Sequence, residues 1–180
     1  MVVLHNIRST YNVGAILRTA EGLGIEKIVY SGYTPRYNDP DLLPHLRAKL
    51  DRQIAKSALG AEKMVQQELL GAGATLNADG AAAEALTKWL ECATMEEYTV
   101  IGLENNLSAQ ELPRQLILGQ PAKLGEKLVL VLGEEVGGIP QEIRPLMEHF
   151  LEIPMQGQKE SFNVSVATGI ALWGLQNCYN

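Results

Sequence analysis

The chain has 180 residues, 46% of them hydrophobic, which fits one domain with a sizeable core and excludes a disordered protein. No apolar run approaches the roughly 20 residues of a membrane span and no basic start leads into a signal-like segment, so no membrane partner is expected and the expected setting is the cytoplasm. Two distant cysteines and three histidines without ligand spacing exclude a disulfide framework and a metal site, while the formal charge of −6 weighs against a nucleic-acid partner.

Val2 to Leu4 reads as a short strand. After a polar loop, Tyr11 to Gly24 (YNVGAILRTAEGLG) sets Val13, Ile16, Leu17, Ala20 and Leu23 at helical spacing. The other face carries Gly14, Ala15, Arg18 and Gly22. Glycine costs a helix about 1 kcal/mol relative to alanine, so small residues around one arginine suggest room for another molecule or chain. Asn12 or Thr10 is expected to cap this helix, and Gly22 and Gly24 to end it. Ile25 to Tyr30 is a second strand, giving the strand, helix, strand unit of parallel sheets.

Residues 31–63 depart from that rhythm. They open with the turn formers SGYTPRYNDPDLLP and continue into a basic, partly helical stretch with Arg47, Lys49, Arg52, Lys56 and Lys63. Residues 1–63 hold nine Lys and Arg against six Asp and Glu, a balance of +3; the remainder holds six against fifteen, a balance of −9. A positive face therefore fits an acidic protein. The segment reads equally as a functional excursion and as a solvated helix over a sheet edge.

Alternation then resumes, with a helix over Ala81 to Met95, strands over Tyr98 to Leu103 and Lys127 to Leu132, and a short helix from Pro140 to about Met147. A strand over His149 to Ile153 and a closing helix over Asn163 to Gln176 complete the pattern. The predicted fold is α/β: an open, mostly parallel sheet with helices on both faces, in one domain spanning 1–180.

Three segments join glycines or exposed backbone to polar side chains at strand ends: Asn6 to Arg18, LGEEVGGIP at 132–140, and IPMQGQKESFNVS at 153–165. Ligands of open α/β sheets gather beyond the carboxyl ends of the strands. Gly133, Gly137, Gly138 and Gly157 let backbone come close to a flat ring, although such turns also serve as plain connections. Neither a dinucleotide fingerprint nor a triphosphate loop is present. Ser161 and Asn163 have the position of ordinary helix caps as well as of site residues.

Taken together, NVGAILRTA at 12–20, LVLGEEVGGIP at 130–140 and IPMQGQKESFNVSVATGIALW at 153–173 resemble the three motifs of the SpoU (TrmH-like) branch of the SPOUT superfamily. The resemblance implies an RNA ribose 2′-O-methyltransferase that uses S-adenosylmethionine, acts on transfer or ribosomal RNA and forms a homodimer. It further implies a carboxyl-terminal deep trefoil knot, which chain threading rules would not suggest. By motif position it assigns catalytic roles to Asn12, Arg18, Glu135, Ser161 and Asn163, with Glu135 more a loop anchor than a substrate contact. It assigns cofactor contacts to Leu103, Gly133, Ile153, Met155, Ser161 and Phe162, and gives Glu134 no role. The resemblance implies that Arg18 gives up its proton and takes one from the 2′-hydroxyl; a guanidinium ordinarily keeps its proton at neutral pH, so the favoured alternative is that Arg18 grips a phosphate and stabilises charge on the ribose oxygen. His5 reads as structural. A knotted RNA-binding protein without turnover and a small-molecule methyltransferase are the rival readings.

Overall fold

The computed structural model describes residues 1–71, 79–105, 107–120 and 122–178. The strands are β1 (Val2–His5), β2 (Lys27–Ser31), β3 (Gln66–Leu69), β4 (Thr99–Leu103), β5 (Gln115–Ile117), β6 (Leu128–Leu132) and β7 (His149–Glu152); helices α1 (Thr10–Gly22), α2 (Pro44–Ala58), α3 (Asp79–Met95) and α4 (Val164–Cys178) follow β1, β2, β3 and β7. The strands form one sheet in the order β3-β2-β1-β6-β4-β7-β5. Every pairing is parallel.

Period-two alternation sends the strands' side chains to two cores. Val2, Leu4, Ile28, Tyr30 and Leu130 face one core with Val13, Ile16 and Leu17 of α1, Ile54 of α2, and Ala171, Leu172 and Leu175 of α4. Val3, Val29, Val100, Val129 and Val131 face the other, with Leu86 and Leu90 of α3 and Ile139, Ile143 and Met147 of the turn before β7. Helices thus cover both faces, as expected of parallel strands whose sequences read as continuous apolar runs.

Several local expectations are corrected. The cap of α1 is Ser9, whose side chain accepts a hydrogen bond from the Asn12 backbone N–H; Thr10 and Asn12 lie inside the helix. Pro140 starts no helix, only turns leading to a single 3-10 turn over Arg144–Leu146. The strands β3 and β5 are additions. They are the two edges of the sheet, and their sequences QQEL and QLI are partly exposed, so they lack the apolar run that marks an inner strand. The segment at 31–63 folds as a loop, then α2, then a 3-10 turn over Ala61–Lys63.

The room at Gly14 is also reassigned. A Cβ there would overlap Ser57 Oγ and the Ile54 carbonyl oxygen of α2, so this glycine admits the protein's own second helix rather than another molecule.

Candidate active site

Leu103, Leu132 and Ile153 mark the carboxyl ends of β4, β6 and β7, which lie side by side. Beyond them opens a cavity of about 250 Å³. Its walls are the turn 133–138 and the stretch 161–164, together with Glu104, Asn105, Arg144 and Ala167. The turn closes on itself: Glu134 N–H donates to Gly138 O over 3.0 Å and Gly138 N–H to Glu134 O over 2.9 Å. Gly138 has φ +67°, and a Cβ on Gly133 would overlap the Gly138 backbone, so a side chain at either position would break the turn.

A buried ion cluster supports this wall. Arg144 pairs with Glu111 at 3.0 Å and with Glu104 at 2.9 Å, and its Nε donates to Ile139 O over 2.9 Å. Glu104 in turn accepts from Ile139 N–H over 3.1 Å. Burial alone would raise the Glu111 carboxyl, but hydrogen bonds from Ser108 and Arg144 outweigh it and hold it below its ordinary value. Asn105 ties in the opposite wall, donating through Nδ2 to Glu160 O over 3.1 Å.

At the rim, three distant segments meet. Glu135 accepts hydrogen bonds from the backbone N–H groups of Arg8 (3.2 Å) and Ser9 (3.3 Å) and from Asn12 Nδ2 (3.2 Å). A carboxylate from the turn thus sits at the amino end of α1, where the helix dipole favours negative charge. Asn163 Nδ2 donates to Asn12 Oδ1 over 3.2 Å, and Asn163 Oδ1 accepts from Ser165 N–H over 3.0 Å, capping α4. Glu134 pairs with Arg8.

Of the residues singled out in the sequence, Leu103, Gly133, Glu135, Ile153, Ser161, Phe162 and Asn163 line the cavity, and Asn12 joins them through Glu135 and Asn163. Met155 and Arg18 do not line it. Arg18 is exposed on α1, without a hydrogen-bond or ion-pair partner among the described residues. It lies six positions after Asn12, about 9 Å along a helix and on another face. His5 is buried in a structural network, with Nδ1 3.0 Å from Ser31 Oγ and Asn6 Nδ2 3.2 Å from its Nε2. Glu104, Asn105 and Arg144 were not foreseen; an acidic residue just past a buried strand was the available signal for the first. Glu134, given no role, also lines the cavity.

The cavity suits a cationic nucleoside donor. Its floor is apolar, its glycine turn brings backbone close, and Glu104, Glu134 and Glu135 outnumber Arg144 among its charged lining residues. Among the described residues no helix is long and apolar enough to cross a membrane, and no cluster of three metal-ligating side chains occurs.

The chain is similar to known proteins in sequence and in fold. Residues 1–173 match the model of the SpoU rRNA Methylase family. The chain is 27% identical over 173 residues to the 23S rRNA (guanosine-2'-O-)-methyltransferase RlmB of Pseudomonas putida, covering 96% of this chain and 56% of that one. It is 30% identical over 181 residues to human rRNA methyltransferase 1, mitochondrial, covering 95% of this chain and 43% of that one. The chain therefore spans about half the length of these relatives. The crystal structure of an AdoMet-bound rRNA methyltransferase from Sinorhizobium meliloti superposes with TM-score 0.71 at 22% identity, over 99% of this chain and 56% of that one, a likeness of fold.

Proposed function

Because this chain belongs to the SpoU rRNA Methylase family, we propose that it transfers a methyl group from S-adenosylmethionine to a ribose 2′-hydroxyl of transfer or ribosomal RNA. The reading rests above all on one observation: Asn12, Glu135 and Asn163 meet at the rim of a cavity formed beyond β4, β6 and β7. On this reading residues 1–180 are one methyltransferase domain acting in the cytoplasm. The carboxyl-terminal stretch is threaded as a trefoil knot, consistent with β7 lying between β4 and β5.

When bound, the cofactor supplies a methyl group already activated on a sulfonium sulfur. The protein therefore needs no nucleophile; its tasks are orientation, which contributes up to about 7–11 kcal/mol in ideal cases, and charge stabilisation. Leu103, Gly133, Ile153, Ser161 and Phe162, which line the cavity, hold the donor largely through main chain. Asn12 and Asn163 orient the ribose, and Ser161 contacts the phosphate. Arg18 grips that phosphate through its planar fork and stabilises negative charge growing on the ribose oxygen. Glu135 anchors the turn to α1.

Because Arg18 stands away from the cavity of its own chain, the reading has it serve the cavity of a second copy in a homodimer. Val166 and Trp173, one stripe of α4, are 50% and 62% exposed, which supports a partner surface there. The test is tritiated cofactor incubated with total RNA. Wild type should label RNA at ribose, whereas Arg18→Ala should bind cofactor normally and lose at least a thousandfold in transfer. Mixing Arg18→Ala with Gly133→Val, which blocks the cavity, should restore activity in mixed dimers. Near-normal transfer by Arg18→Ala would exclude this role.

A further inference from the structure

We propose that Arg8 and Tyr33 form a stacking platform for an unpaired base of the RNA, beside the ribose that reacts; this rests on the methyl-transfer reading above. Arg8 belongs to the loop between β1 and α1. Its backbone N–H donates to Glu135 over 3.2 Å, fixing the residue at the cavity rim. Its side chain is held as well: Nε donates to the Tyr33 hydroxyl over 3.3 Å, a terminal nitrogen donates to Glu134, and the guanidinium lies over the Tyr33 ring, 5.7 Å from its centroid. Tyr33 is anchored in turn, its N–H donating to Asn6 Oδ1 over 3.2 Å.

Despite these attachments the Arg8 side chain is 70% exposed. The Tyr33 hydroxyl engages Nε and Glu134 engages one terminal nitrogen, and together they hold the guanidinium plane in place. Unpaired RNA bases stack on guanidinium and aromatic planes, and that contact needs a plane held in place rather than a free charge. Glu134 stands on the turn that lines the cavity, so a base on this platform lies next to Asn12 and Glu135. The assignment therefore differs in kind from a phosphate contact: it depends on planarity and only weakly on salt.

The full chain, with cofactor, is titrated against an unstructured twelve-nucleotide RNA containing 2-aminopurine, and RNA methylation is followed in parallel. Wild type should quench the probe on binding. Arg8→Ala, Arg8→Lys and Tyr33→Leu should each weaken binding about tenfold and relieve quenching, with the salt slope nearly unchanged and cofactor affinity within threefold. Tyr33→Phe, which keeps the ring, should lose less than Tyr33→Leu. Wild-type affinity in Arg8→Lys, or a salt slope falling by about 0.7 in Arg8→Ala, would make Arg8 a plain charge contact and overturn the platform. Methylation by wild type alongside unaltered binding in all three variants sinks the platform alone. Absence of any RNA methylation by wild type sinks the methyl-transfer reading, while probe quenching still tests the platform.

Discussion

Asn163 Nδ2 donates a hydrogen bond to Asn12 Oδ1 over 3.2 Å, joining the start of α4 to the first turn of α1 across 151 residues. The same Asn163 caps α4 through its other amide atom, Oδ1. Two substitutions separate these tasks. Asn163→Ala should lose the cap and cost about 0.5–2 kcal/mol in urea unfolding. Asn163→Asp keeps an oxygen for the cap but sets it against Asn12 Oδ1, so it should unfold like wild type while methyl transfer falls at least tenfold. Equal stability losses in both variants would contradict this division.

Gly14 looks replaceable by sequence alone, since alanine is the better helix former by about 1 kcal/mol. In the fold its missing Cβ admits Ser57 and the Ile54 backbone. Gly14→Ala should therefore destabilise by about 1–3 kcal/mol despite the propensity gain, because α2 must move to accept it. Denaturant titration with unchanged slope would measure the loss.

His5 couples stability to pH. Burial pushes its pKa down, partly opposed by Glu142 and Glu134. As pH falls through about 6.5 the unfolded chain takes up a proton that folded His5 refuses, so folding stability should drop. The drop should level off once folded His5 is itself protonated. His5→Gln should flatten the stability difference between pH 7.5 and 5.5; an unaltered difference would exclude His5 as its source.

On α2, Lys49, Arg52 and Lys56 point to solvent while Ile54 and Ala58 point inward, and Arg47 is half-buried. Replacing the four basic residues with glutamine should reduce the salt slope of RNA binding by about 0.7 for each phosphate no longer neutralised, with cofactor affinity unchanged. An unaltered slope would leave α2 as scaffold.

Trp173 is 62% exposed on α4. Under the dimer reading, Trp173→Glu should shift the protein to monomer in sedimentation equilibrium and reduce methyl transfer in proportion to the fall in dimer. A monomeric wild type would remove the basis for Arg18 acting across subunits.

The inner strands and their helices were legible in the chain because burial leaves a mark on sequence. Leu128–Leu132 is apolar throughout since both of its faces are covered, and α1 shows a helical stripe since one face meets the sheet. The edge strands β3 and β5 left no such mark: their residues are half-exposed, and backbone pairing to β2 and β7 makes them strands. Pro140 was misleading because a permitted first turn does not require a second.

Residue types and spacing at the site were likewise present in the chain, in the glycines at 133 and 138 and the polar run before α4. What they touch was not. Asn12 carries the composition of a cap, yet its side chain is claimed by Glu135 and Asn163, while Ser9 does the capping. Local periodicity and turn chemistry act over a few residues and can be read in order along the chain. Sheet order, the Arg144 cluster, the space at Gly14 and the placement of Arg18 arise from contacts between segments far apart, which only packing brings together.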